Sequence, residues 1–330
     1  MRLLALLADR PRLAALLGAL SIASSGIFYR YAAVSPETGA FFRALYGLPL
    51  LGLVAWAEVR RFGPLPRRAV AAAAAAGCFF AADLALWHHA IEAVGVGLAT
   101  VLANLQVVLV GAVAWWLGGE RPSRAVLASL PLVLVGVVAI SGVLETGAYG
   151  ADPVAGVVLG LGAAAAYAAY LLVMRRVGGR ASGPALPVFV STAATAGASL
   201  AVGLLVGRLD LGPSWPAHGW LAVLGLTAQA AGYLFIVSSL PRLPAVVASI
   251  LLLAQPVGSV ALGIILLGEA PSLLQSLGVG LVLAGIAVAG GPGGRLGDAV
   301  RTRLVGDARA SDEAVDGVTV RSPGEAARPR

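Results

Sequence analysis

Apolar residues in this chain neither alternate nor form narrow stripes. They run on for about 20 residues at a time, the length a helix needs to cross a hydrocarbon core of roughly 30 Å. The runs are Leu13–Val34, Thr38–Trp56, Ala69–Ile91, Gly95–Gly118, Ala125–Val143, Pro153–Met174, Pro184–Val206, Trp220–Leu240, Pro244–Leu267 and Leu273–Ala289. Breaks between them carry turn chemistry or charge, as in Arg60-Arg61-Phe62-Gly63-Pro64, Glu120-Arg121-Pro122-Ser123, Leu211-Gly212-Pro213-Ser214 and Pro241-Arg242. Continuous alanine- and leucine-rich runs suit helices, whereas a membrane barrel needs short alternating strands. The pattern predicts an all-α integral membrane protein with ten transmembrane helices.

Composition sharpens this picture. Of 330 residues, 59% are apolar and 12% charged, against about 25% charged in an average soluble domain. One cysteine, Cys78, excludes a disulfide scaffold. The net charge of +7 does not point to nucleic acid, because the arginines are scattered between apolar runs. All 23 basic residues are arginine, so no lysine is available as an amine nucleophile. With a cytoplasmic N-terminus, the inner breaks hold Arg10 and Arg12, Arg60 and Arg61, Arg67 and Arg68, Arg121 and Arg124, Arg175 and Arg176, and Arg242. The outer segments hold Arg208, with Arg30 and Arg43 near span ends. This bias predicts an inner cell membrane protein with both termini cytoplasmic. The first run is too long for a signal core, and no small-residue cleavage site follows it. Residues 1–12 read as a cytoplasmic N-terminus. Residues 291–330, with seven arginines and six acids, read as a disordered cytoplasmic tail.

Shifted by 149 residues, the chain matches itself. Gly119-Glu120 lands on Gly268-Glu269, Pro122-Ser123 on Pro271-Ser272, Gln106 on Gln255, Thr100 on Ser249, and Gly136 on Gly285. The chain thus divides into five-helix repeats at 13–143 and 153–289. An odd number of crossings per repeat inverts the second, a common build of secondary transporters with a solute site between the halves near the midplane.

These residues resemble the EamA family of the drug/metabolite transporter superfamily. The resemblance covers about Leu13 to Ala289 and rests on the two-repeat layout, Gly119-Glu120 and Gly268-Glu269 closing matched spans, Gly136 and Gly285 in the spans that follow, Leu253-Ala254-Gln255-Pro256, and Phe42-Arg43-Ala44-Leu45 early in the second span. Val107 stands where the second repeat has Pro256, so the fourth span is expected to be straighter than the ninth. The resemblance implies a cavity lined by the first, third, fourth, sixth, eighth and ninth spans, with the fifth and tenth peripheral. It also implies movement of small organic solutes, often amino acids or related metabolites and often outward; no cofactor is expected.

Asp83 is the sole carboxylate well inside a span, at a cost of about 2.5–3.5 kcal/mol on insertion scales. It is expected either to bind a cationic part of the solute or a coupled proton, or to pair structurally with Arg43. Arg30 and Arg43 are alternatively arginines reaching outer headgroups. Trp87, one turn after Asp83, is a candidate cavity wall or cation–π partner. Gln106 and Gln255 offer amides at matched positions, for solute or for an interhelical bond. Asn104 shares a face with Thr100. Tyr167 and Tyr170, Gln229 and Tyr233, and Ser21 and Ser25 form stripes at helical spacing that would line a cavity, although serines more often bond the preceding turn. Glu120 and Glu269 are gating candidates or solvated helix ends. Glu269 has no adjacent arginine to explain a charge that opposes the helix dipole. Trp115, Trp116, Trp215 and Trp220 suit an interfacial belt.

Gly156/Gly160 and Ser276/Gly280/Ala284 permit close helix approach. The reading adopted is packing within one chain, with a homodimer as the alternative. Two rival functions are a receptor or scaffold without transport and a membrane enzyme. His88-His89-Ala90-Ile91-Glu92 has no zinc-hydrolase spacing, and the sequence holds no Gly-x-Ser-x-Gly elbow or P-loop, so neither an enzyme nor a bound metal is expected. The expected partners are a small-molecule solute and the lipid bilayer.

Overall fold

In the computed structural model, residues 10–110, 124–178, 183–239, 243 and 251–290 are described, and every regular element among them is helical. The first predicted span is two helices, α1 (Pro11–Ala23) and α2 (Ser25–Ala32), broken at Ser24. The hydroxyls of Ser24 and Ser25 donate to the carbonyls of Ser21 and Ile22, 2.9 and 2.6 Å away, so these serines bond back one turn. Helix α3 (Pro36–Phe62) opens on Ser35, whose hydroxyl accepts the Thr38 N–H, with Pro36 in the first turn where its missing N–H costs nothing.

Helix α4 (Arg67–Ala103) has 37 residues, about 55 Å of helix, nearly twice a hydrocarbon core. It contains the third predicted span and the start of the fourth, Gly95 to Ala103, with no loop between them. The break is one residue, Gly95, at φ 82° and ψ 170°, a backbone conformation that a side chain would strain. Among the described residues both the fourth and the ninth spans are interrupted. The fourth turns at Asn104 and Leu105, and the ninth turns at the matched Leu253. Proline is not required for the first of these turns. The Asn104 amide donates to the Thr100 carbonyl at 2.8 Å, and the next N–H groups bond three residues back rather than four.

The remaining helices are α5 (Arg124–Ile140), α6 (Pro153–Gly178), α7 (Ala185–Val206), α8 (Trp215–Leu224), a π-helical segment (Gly225–Gly232), α9 (Tyr233–Ser239), α10 (Ala254–Leu267) and α11 (Leu273–Gly290). The eighth span begins at Trp215 rather than Trp220, because Pro216 fits the first turn of a helix. Among the described residues six helical stretches are long and apolar enough to cross a membrane, and α5, α10 and α11 are shorter apolar helices. Glu120, Trp115 and Trp116 lie outside the described residues, as does the tail 291–330.

Repeat-matched helices pair antiparallel. At the start of α3, Ser35 donates to the Arg208 carbonyl and Thr38 accepts the Asp210 N–H, just past the end of α7. At the other end of α3, Glu58 accepts the N–H groups of Ala185 and Leu186, where α7 begins. Helices α5 and α11 cross at Gly136 and Gly278. A Cβ built on either glycine would sit 2.8 or 2.7 Å from the other's carbonyl oxygen, so the backbones touch. Gly156 and Gly160 pack on Val94 and Leu102 inside the chain, as expected. Ser276, Gly280 and Ala284 do not follow that reading: they are exposed on the outer side of α11, since Gly278 and Val282 take the inner face. Large apolar side chains such as Leu205 (87% exposed) and Ile265 (74%) stand on the outside, where lipid rather than water suits them.

Candidate functional site

Seven of the predicted site residues come together. Phe80, Asp83 and Trp87 recur at helical spacing on one face of α4. Arg43 projects from α3 with its guanidinium 5.6 Å from the Trp87 ring centre and 6.0 Å from that of Phe80. Tyr167 and Tyr170 of α6 stack at 5.5 Å, and Phe80 stacks on Tyr170 at 4.9 Å. Tyr233 of α9 donates its hydroxyl to that of Tyr167 at 3.1 Å and meets Phe80 edge-on. Gln229, in the π-helical segment, accepts from Arg43 Nε at 3.1 Å. A π segment re-aims side chains relative to a regular helix, and such segments are common at functional sites.

The Arg43–Asp83 ion pair offered as the structural alternative is not made. Among the described residues no carboxylate lies within 4.0 Å of Arg43, and Asp83 has no hydrogen-bond partner. The two side chains are nonetheless close enough to act on each other electrostatically, and Tyr167 is within the reach of both. Arg43 is 3% exposed and Asp83 7%, so neither reaches headgroups. Arg30 is exposed, as a headgroup arginine would be. The site holds a buried arginine and a nearby carboxyl group, each with hydrogen-bonding capacity left over, inside aromatic walls.

Sequence reasoning missed Thr192. The Gln229 amide donates to Thr192 Oγ1 at 3.1 Å, which turns its carbonyl oxygen toward Arg43. A threonine in an apolar run gives no signal of this, because only the fold brings α7 beside the π segment.

The described residues of the fourth and ninth spans contribute less than expected. Asn104 spends its amide on the Thr100 carbonyl. Gln106 Oε1 is buried without a partner, and Gln255 is half-buried with no hydrogen bond among the described residues. The second and seventh spans supply Arg43 and Thr192 instead, because α3 and α7 pack against each other.

Glu269 is no solvated helix end. It is 5% exposed, and its carboxylate accepts the N–H groups of Val96 and Gly97 (Gly97 at 3.0 Å). These donors are free because the Gly95 break starts a new helix there, and a helix N-terminus attracts negative charge. That is the local reason Glu269 lacked in the sequence. Burial raises the Glu269 carboxyl above its ordinary range, and the two N–H bonds restrain the rise. Trp215 is 81% exposed, and Trp220 packs against Phe28 and Tyr31, as span-end tryptophans do. No group of three or more metal-ligating side chains occurs among the described residues.

Comparison with known proteins places the chain. An uncharacterized transporter, YwfM of Bacillus subtilis (strain 168), is 27% identical over 208 residues, which is 62% of this chain and 67% of the relative. A solved crystal structure shares the fold with a TM-score of 0.60 at 21% identity, over 85% of this chain and 95% of that one. The EamA-like transporter family matches residues 11–142 and 154–291, nearly the whole helical part. A two-repeat, all-helical, multi-pass membrane protein with these matches is a membrane transporter, and the chain belongs to the EamA-like transporter family.

Proposed function

We propose that this protein is a secondary transporter of small zwitterionic metabolites such as amino acids, working by alternating access and, in the cell, as an exporter. The observation that carries the reading is Arg43 and Asp83 standing near each other without pairing, beneath the rings of Phe80, Trp87, Tyr167, Tyr170 and Tyr233. A carboxylate would meet Arg43, an ammonium group Asp83, and an apolar side chain the rings. Uncompensated buried charge in a membrane is costly without a use. The antiparallel pairing of α3 with α7 and of α5 with α11 supports ten spans in two inverted repeats. In this reading the chain sits in the inner cell membrane with both termini cytoplasmic and carries out no catalytic step.

Purified protein in proteoliposomes, offered a panel of amino acids in counterflow, tests this. Uptake of at least one amino acid is expected, with Asp83→Asn losing most of it at equal protein content. Unchanged uptake and pH dependence in Asp83→Asn removes that residue from the mechanism, and no uptake across the panel ends the amino-acid reading.

A further inference from the structure

A second polar cluster lies about 9 Å along the same two helices, six residues from Arg43 on α3 and six from Asp83 on α4. His89 Nε2 is 3.2 Å from Glu37 Oε1, and His89 Nδ1 is 3.7 Å from Glu92 Oε2. The other Glu92 oxygen accepts from the Tyr29 hydroxyl at 3.1 Å. The Tyr29 ring stacks on His88, centre to centre 4.0 Å. His88 Nδ1 donates to the Pro36 carbonyl at 3.2 Å, which fixes its tautomer and leaves Nε2 as an acceptor. That Nε2 and Glu37 Oε2 are both buried without a partner.

Acceptors outnumber donors here. Four carboxylate oxygens and His88 Nε2 face the Tyr29 hydroxyl and, in a neutral imidazole, a single N–H of His89. Neutral His89 satisfies one carboxylate and turns a lone pair toward the other, whereas the imidazolium donates to both. Glu37 is 6% exposed, so water does not supply the missing donor freely. Other charged groups are near: Arg30 of α2 acts on Tyr29, and Arg43 acts on His88. The segment after α7 places Arg208 and Asp210 against Ser35 and Thr38 at the start of α3.

We propose, resting on the transporter reading above, that Glu37, His89 and Glu92 form a proton-binding site whose loading and release are coupled to solute movement past Arg43 and Asp83. The proton enters from water at the exposed edge formed by His89 and Glu92 while the protein is open to one side, adds to the free lone pair of His89, and leaves from that N–H to water on the opposite side once the protein has opened there. No other bond is made or broken. Because Glu37 shares α3 with Arg43 and His89 shares α4 with Asp83, the imidazolium ties together the two helices that hold the solute site.

The test uses the full chain in proteoliposomes loaded with a pH-sensitive dye, with L-phenylalanine as the probe. Net phenylalanine flux and internal pH are followed together, and phenylalanine counterflow reports folding and solute binding separately. In the wild type, net flux is expected to change internal pH. In Glu37→Gln and in His89→Gln, protons moved per solute should fall by about tenfold while counterflow stays within about twofold; Glu37→Asp should recover part of the coupling. Wild-type flux without a pH change, or coupling that survives both variants, overturns the proton site and leaves the solute reading intact. Absence of wild-type counterflow with phenylalanine, and with every other amino acid, overturns both.

Discussion

The Arg43–Asp83 site and the α5–α11 seam are built from the same alanine- and glycine-rich sequence and solve opposite problems. At the seam, Gly136 and Gly278 bring two backbones into contact, Val133 and Val282 close the space beside them, and no charge enters. Such packing replaces the hydrophobic effect, which lipid cannot supply between helices. At the site, rings and charge-bearing side chains fill the space between helices, and polar capacity is left unspent. One region leaves no polar group unspent, and the other does. That contrast separates residues whose loss should affect transport from those whose loss should affect folding.

The largest expected effect is at Arg43. Arg43→Gln keeps a polar side chain but removes the cation, and a charged hydrogen bond of about 1.5–3 kcal/mol should disappear from solute binding. Transport efficiency should fall by more than about tenfold while thermal stability barely changes. A mutant that transports normally places the solute elsewhere. Gly136→Leu should do the reverse. Forcing a side chain into the seam costs about 1–3 kcal/mol, seen as a lower melting temperature in detergent, with KM for the remaining folded protein unchanged.

Glu269 tests the boundary between the two regions. Glu269→Ala strands the Val96 and Gly97 N–H groups, at about 1–3 kcal/mol. Hydrogen exchange at those amides should quicken, and Glu269→Gln, which keeps one acceptor, should lie between. Amides that exchange no faster would show that the carboxylate is not what holds the break at Gly95. The smallest effect is expected from Tyr167→Phe. It removes one hydroxyl–hydroxyl bond, about 0.5–1.5 kcal/mol, and should raise KM severalfold without lowering the maximal rate.

Much of this was legible beforehand. The helical membrane class, the repeat and the family were readable because apolar run length and a Gly-Glu-x-Pro-Ser string at a fixed offset are properties of the chain itself. Asp83 and Arg43 stood out because charge is rare in an apolar run, and the tyrosines because helical spacing places them on one face. Thr192 gave no such sign, and Gly95, where the fourth run begins, gave none that the break is one residue wide. A threonine and a glycine are ordinary in these runs, and their roles depend on what lies opposite.

Sequence alone determined that the chain lives in lipid, that it is helical and built twice, and which rare polar residues had to be explained. Tertiary structure decided the partners. It gave Arg43 to Gln229 instead of Asp83, sent Glu269 to a helix start in the other repeat, and brought Arg43 of α3 and Thr192 of α7 beside the residues of α4, α6, the π segment and α9. The reason is range. Burial and periodicity act over one or two turns and are written locally, whereas a hydrogen bond across 186 residues of chain forms only after helices from both halves have packed.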